Sequence, residues 1–221
     1  MSNKQILFES FPKQEEFLEA VFSKQYNFIL YGGAIRWRGG KTFAGISALL
    51  LLSKMYPGSK WVIVRNTLQT LKLNTIPSFF KICPTAFIKH YNQETQVVTF
   101  RNGSQVIFLG ENYADDKELN RFKGLECNGF LFEEINEMQE KTFYKGIERA
   151  GSHIIPKMPP PLILATCNPA KNWVKTLFYD RWLLGKLPDK WKYIPSKITD
   201  NPFIPEEYKE SLKTMPKYEY E

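Results

Sequence analysis

Apolar residues recur along this chain in two periods, and the alternation between them lays out the elements. In "FPKQEEFLEAVFS", Phe17, Leu18, Val21 and Phe22 fall on one helical face. "YNFILYGG" follows as a short continuous apolar run, the mark of a strand buried on both faces, and it ends in glycines. "KTFAGISALLLLSKMY" then reads as a helix, and "SKWVIVRN" as a second buried strand closing on Arg65-Asn66. A strand, loop, helix, strand unit implies a parallel sheet.

"LQTLKLNTIPSFFKIC" is expected to be helical up to Pro77. "AFIKHYNQETQVVTFRNGSQVIFLG" alternates apolar and polar positions around the turn signal Arg101-Asn102-Gly103-Ser104, which predicts an antiparallel meander attached to the sheet. "GFLFEE" and "PLILATCNP" are further short apolar runs with polar ends. Ligands of open α/β sheets bind at the carboxyl ends of strands, so these polar ends and the glycine loop are expected to converge.

With 221 residues, 43% of them hydrophobic and 15% aromatic, the chain can form one substantial domain with a buried core. Thirty Lys and Arg against 23 Asp and Glu leave a formal charge of +7, which suits a polyanionic partner and decides nothing about the fold. Cys83, Cys127 and Cys167 are isolated and odd in number, so neither a disulfide framework nor a zinc site is expected, and the usage fits a reducing cytosol. "MSNKQILFES" lacks the apolar core of a signal peptide, and the most apolar run, Ile46 to Leu52, is too short to cross a bilayer; a soluble protein is expected. Lys157 to Pro161 reads as a stiff loop and "TMPKYEYE" as the start of a linker, so the chain reads as a fragment.

The chemistry begins at "YGGAIRWRGGKT". A phosphate-binding loop needs glycines that let backbone N–H groups approach phosphate, a lysine to neutralise charge, and a hydroxyl to hold magnesium, all at a helix N-terminus. Gly40, Lys41 and Thr42 supply the last half, yet the position where the first glycine belongs is Ile35. Reading Trp37-Arg38 as an insertion restores the standard spacing from Gly33. The competing reading is a helix start without nucleotide.

"GFLFEEINEM" ends an apolar strand in two carboxylates. Glu133, where Asp is usual, would hold magnesium directly or through water, and Glu134 would polarise the water attacking a γ-phosphate. The competing reading is a solvated acidic helix start, since Glu137 and Glu140 follow.

Together these residues resemble the ATPase domain of the large terminase subunit of tailed phages and herpesviruses. In chain order the matching elements are "KQEEFLEA", the glycine loop as Walker A, "VIVRNT", "RFKGLECNGFLFEEINEM" through Walker B, "LATCNP" as the coupling motif, and "ITDNPFIPEEY". The resemblance implies a three-layer α/β P-loop NTPase of the ASCE, RecA-like kind, with a mainly parallel sheet and added antiparallel strands. It implies a motor domain over 1–210 and a linker from 211 toward a nuclease domain of the ribonuclease H type, for which 221 residues have no room. It further implies ATP and magnesium as cofactors, with hydrolysis driving translocation of viral double-stranded DNA into a preformed capsid. Gln14 is the adenine-side glutamine; Gly33, Arg38, Gly39, Gly40, Lys41 and Thr42 form the nucleotide loop; Thr42 and Glu133 organise the metal; Thr166 and Asn168 sense hydrolysis.

A transferred phosphoryl group also calls for an arginine, often from a neighbouring subunit. Arg121 in "RFKG" is the first candidate, with Arg36, Arg38 and Arg149 as alternatives. Implied partners are nonspecifically held duplex DNA, a portal protein, a small terminase subunit and further copies in a five-membered ring, in the cytoplasm of the host cell and outside the mature virion. Asp115-Asp116 and Asp200 read as solvated loop acids, and His90 and His153 as surface or packing residues. Trp191 and Tyr193 are expected to pack on a sheet edge. The rivals are a helicase-like ATPase, which would unwind a forked duplex, and a non-catalytic P-loop scaffold, which would not hydrolyse ATP.

Overall fold

The computed structural model describes residues 10–33, 40–197, 200, 207 and 210. The linker expected over 211–221 and most of "ITDNPFIPEEY" lie outside them.

The first helix, α1 (Pro12–Phe22), precedes strand β1 (Phe28–Gly33), helix α2 (Lys41–Met55) and strand β2 (Lys60–Arg65). A long helical segment comes next: α3 (Leu68–Thr70), a π-helical turn (Leu71–Thr75) and α4 (Ile76–Ile82). It does not stop at Pro77 as expected from the sequence. Pro77 stands in the first turn of α4, where a missing N–H costs nothing, and the wider turn before it reaches from the Ile76 amide to the Leu71 carbonyl. Strands β3 (Ile88–Asn92), β4 (Val97–Phe100) and β5 (Gln105–Gly110) form the expected antiparallel meander. The rest is α5 (Asn120–Lys123), β6 (Gly129–Phe132), α6 (Glu140–Arg149), β7 (Leu162–Cys167), a π turn (Lys175–Tyr179), α7 (Asp180–Leu183) and β8 (Trp191–Ser196).

These strands make one 8-stranded sheet in the order β3-β4-β5-β2-β6-β7-β1-β8. From β5 to β8 every neighbouring pair is parallel. The central runs are apolar throughout because both faces are covered. Ile29, Tyr31, Trp61, Ile63, Leu131 and Leu164 pack beneath α1, α2 and the 68–82 segment; Phe28, Leu30, Val62, Phe130, Phe132 and Ile163 pack on the opposite side, with α5 and α6. On that second face Phe28 stacks on Phe178 at 4.7 Å and meets Phe143 edge-on at 4.9 Å, with Trp191 of β8 5.2 Å from Phe28. Such ring pairs each contribute roughly 1 kcal/mol beyond the area they bury. Trp191 and Tyr193 are thus edge-strand residues, Tyr193 buried, as expected.

The three cysteines are buried thiols. Among the described residues no helix is long and apolar enough to cross a membrane.

Candidate nucleotide site

Strand order brings the chemistry together. β7 lies between β1 and β6, with Tyr31 opposite Thr166, Gly32 opposite Cys167 and Phe132 opposite Ala165. The parallel strands end along one edge, so the glycine loop after β1, the glutamates after β6 and "TCN" at the end of β7 are neighbours in space.

Gly33 closes β1 at φ 99°, and a Cβ there would stand 2.3 Å from the Ser196 carbonyl oxygen of β8. Only glycine fits. Gly40, at φ 64° in the left-handed region, turns the chain into α2, whose N-terminal amides and dipole make the mouth of the loop a site for anions. Gln14 is 2% exposed; its amide donates to the Gly40 carbonyl at 3.1 Å and its oxygen accepts the Phe11 N–H at 3.1 Å. It ties α1 to the end of the loop. Arg36, Trp37, Arg38 and Gly39 lie outside the described residues.

Lys41 is 8% exposed, and its ammonium donates to the Gly33 carbonyl at 2.6 Å and to Asn168 Oδ1 at 3.1 Å. Burial lowers its pKa, while the Glu134 carboxylate opposes that shift. The Thr42 hydroxyl donates to Glu133 Oε1, and the Thr75 hydroxyl, from the π turn before α4, donates to Glu133 Oε2. The Glu133 backbone extends the β2–β6 pairing by one bond, its N–H to the Val64 carbonyl at 2.9 Å.

Glu134 departs from strand geometry. It has φ 54° and ψ 54°, a left-handed conformation that costs a non-glycine residue roughly 1 kcal/mol or more, and its N–H donates to Thr166 Oγ1 at 3.1 Å. Its Oε2 is buried with no hydrogen-bond partner among the described residues. Burial pushes its carboxyl pKa up; the Lys41 and Arg65 cations pull it down, and Glu133 and Glu137 push it up further. A buried, strained carboxylate with an unfilled oxygen beside a lysine is the arrangement expected of a group that orients a reactant.

Magnesium takes hard oxygen ligands, commonly one or two from protein with the remainder from phosphate and water. The Thr42 hydroxyl and the Glu133 carboxylate, already in contact at the loop, are such a donor set, and the residues fit that ion.

Some of the site was not foreseen from sequence. Arg65, at the end of β2 and 8% exposed, holds Glu137 Oε2 at 3.1 Å and lies 4.0 Å from Glu133 Oε2. Its presence at this edge was expected, as one of the polar strand ends; its pairing with the glutamates was not. Asn136 Oδ1 accepts the Asn168 N–H at 3.1 Å, the Asn136 carbonyl accepts Asn172 Nδ2 at 2.7 Å, and Trp173 Nε1 donates to the Met138 carbonyl at 2.8 Å. The loops after β6 and β7 are therefore sewn together.

Arg121 lies exposed on α5, its backbone N–H donating to the Asp116 carboxylate at 3.1 Å. It is not among the charges that act on Glu134 or Lys41 within the chain. Arg149, at the far end of α6, pairs with Glu148 at 3.2 Å, and its carbonyl accepts the Cys127 thiol just ahead of β6, so it sits toward the opposite edge of the sheet. Asp116 caps α5, accepting the Asn120 N–H at 2.9 Å, which is a loop role as expected. His153 meets the Gly58 carbonyl at 3.1 Å, a packing role.

A glycine loop opening α2, acidic residues ending β6 and an additional strand between β1 and β6 define a P-loop NTPase of the ASCE kind. The phage terminase large subunit family matches residues 24–221, and the chain belongs to that family. No curated protein sequence matches.

Among solved structures, the large terminase of a thermophilic bacteriophage superposes with a TM-score of 0.72 at 18% identity, covering 93% of this chain and 50% of that one. Its complex with ADP gives 0.71 at 19% identity, again over 93% of this chain and 50% of that one. The ATPase domain of the Thermus phage P74-26 large terminase gives 0.69 at 12% identity, over 96% of this chain and 91% of that domain. The chain spans about half the length of the thermophilic phage protein.

Proposed function

We propose that this chain is the ATP-hydrolysing motor domain of a terminase that drives double-stranded viral DNA into a preformed capsid. The observation that carries the reading is the Lys41 ammonium, held by Gly33 and Asn168 at the mouth of the loop, with the unfilled Glu134 oxygen beside it. Nucleotide complexes of one similar large terminase, with ATP-gamma-S and with ADP, support the same ligand class.

Lys41 binds the β- and γ-phosphates, exchanging the Gly33 and Asn168 acceptors for phosphate oxygens. The loop of Gly33, Arg38, Gly39, Gly40 and Thr42 surrounds the triphosphate, and Gln14 fixes the end of that loop on the nucleotide side. Thr42 and Glu133 would hold magnesium, which would supply positive charge to neutralise the phosphates. Glu134 orients the attacking water, and its left-handed backbone, bonded to Thr166, keeps the carboxylate aimed. Thr166 and Asn168 register the change in the phosphates, and Asn136 and Asn172 pass it to the chain after β7.

Arg121, exposed and outside the chain's own cluster of charges, serves the site of a neighbouring copy in a ring of about five. A net charge of +7 suits a grip on DNA phosphates without sequence preference. A portal protein and a small terminase subunit complete the assembly in the host cytoplasm.

ATP hydrolysis by the purified chain, compared with Lys41→Ala and Glu134→Gln, tests the reading. Phosphate release by the unmodified chain that both variants lose supports it. Release no faster than the buffer blank for all three, even with DNA and portal present, overturns it.

A further inference from the structure

We infer that Thr75 is a positioning residue for the metal-holding carboxylate, tying the 68–82 helical segment to the site. The inference rests on the magnesium reading of Thr42 and Glu133. Its starting point is that both oxygens of Glu133 are engaged by hydroxyls from different elements: Oε1 by Thr42 at the start of α2, and Oε2 by Thr75. Glu133 is 3% exposed and Thr75 1% exposed, so water does not compete for that second bond.

Thr75 belongs to a five-residue π turn, Leu71–Thr75, interrupting an otherwise α-helical segment. A π turn inserts one residue and rotates the side chains that follow, which is why such turns collect at functional sites. A buried helical threonine ordinarily returns its hydroxyl to the carbonyl one turn back. This one spends it on a glutamate 58 positions away.

A carboxylate left to rotate would present either oxygen, or both, to an incoming cation. Thr75 pins Oε2, so Oε1 alone faces Thr42. That single-oxygen presentation suits magnesium, whose octahedral geometry at short distances disfavours a bidentate carboxylate. Arg65, 4.0 Å from the same Oε2, reinforces the pinning electrostatically. The opposite side of the π turn, Lys72, Leu73 and Asn74, is exposed, so the segment that grips Glu133 also reaches the surface of the domain.

The test compares Thr75→Val, which keeps the shape and removes the hydroxyl, with Thr75→Ser, which keeps the hydroxyl. Mn2+ serves as the probe, titrated by electron paramagnetic resonance in the presence of ADP; ADP affinity is measured separately in EDTA. Thr75→Val is expected to weaken Mn2+ by about tenfold, the usual loss when a ligand's supporting bond is removed, while EDTA-phase ADP affinity and the Thr75→Ser Mn2+ affinity stay within about twofold. Should Thr75→Val not fold, Thr75→Ala removes the same hydroxyl without adding a methyl to the core. Equal Mn2+ binding by the unmodified and hydroxyl-free chains overturns the inference and leaves the magnesium site standing. If the unmodified chain binds ADP but not Mn2+, the magnesium reading falls and takes the inference with it.

Discussion

Lys41 and Asn168, 127 positions apart in sequence, meet at 3.1 Å between the glycine loop and the end of β7. The asparagine oxygen therefore occupies the ammonium where phosphate oxygens would compete for it. Asn168→Ala removes that competitor, so ADP is expected to bind as tightly as before or up to about threefold more tightly, whereas Lys41→Ala should weaken it by at least about tenfold through loss of a charge-assisted bond. Isothermal titration of both variants checks the contrast.

Glu134 sets activity against stability. Burial raises its folded-state carboxyl pKa above the ordinary 4.5. A raised carboxyl contributes stability that is fully present below the unfolded value and is lost as pH rises through the folded one, so at neutral pH the ionised group is a net cost. Glu134→Gln should melt a few degrees higher than the unmodified chain at pH 7, by roughly 1 kcal/mol, with the gap closing toward pH 4. Hydrolysis should fall on the order of 100-fold or more in the same variant. Melting curves at the two pH values and a phosphate-release assay read the two effects separately.

At Gly33 the backbone leaves no choice. Alanine would need φ 99° and a Cβ 2.3 Å from the Ser196 carbonyl oxygen. Gly33→Ala is expected to lose about 2 kcal/mol, seen as a lower urea midpoint with unchanged slope.

Arg121→Ala should leave the melting temperature and ADP affinity of the isolated chain unchanged, because the guanidinium is exposed and forms no hydrogen bond or ion pair among the described residues. Loss of hydrolysis confined to the assembled motor, and recovered in rings mixed with Glu134→Gln subunits that retain Arg121, would identify it as acting between copies. Equal hydrolysis by assembled Arg121→Ala and unmodified rings would exclude it.

Much of this architecture was legible because the buried parallel strands read as apolar runs whose polar ends had to line up along one edge. The order of "GGKT", "FEE" and "TCN" along the chain became adjacency in space once β7 lay between β1 and β6. What stayed hidden was side-chain reach. Nothing in "KLNTIP" says that a threonine within a helix will bond the glutamate that follows β6, because that depends on a π turn that residue propensities do not encode. Pro77 looked like a terminator for the same reason. Asn136 and Asn172 are ordinary turn residues in sequence, and only the fold brings their hydrogen bonds to the end of β7.

The double stitch between the loops after β6 and β7 has a mechanical consequence. With Asn136 bonded to both Asn168 and Asn172, and Met138 to the Trp173 indole, neither loop can bend alone. Trp173 in turn touches Phe178, 6.2 Å between ring centres, and Phe178 touches Trp191 on the outermost strand at 5.2 Å. An unbroken series of contacts thus runs from the loops beside the glutamates through Trp173 and Phe178 to the outermost strand. Trp173 and Trp191 both lie on that path, so their indole emission is expected to change when nucleotide binds, which fluorescence titration with ADP checks.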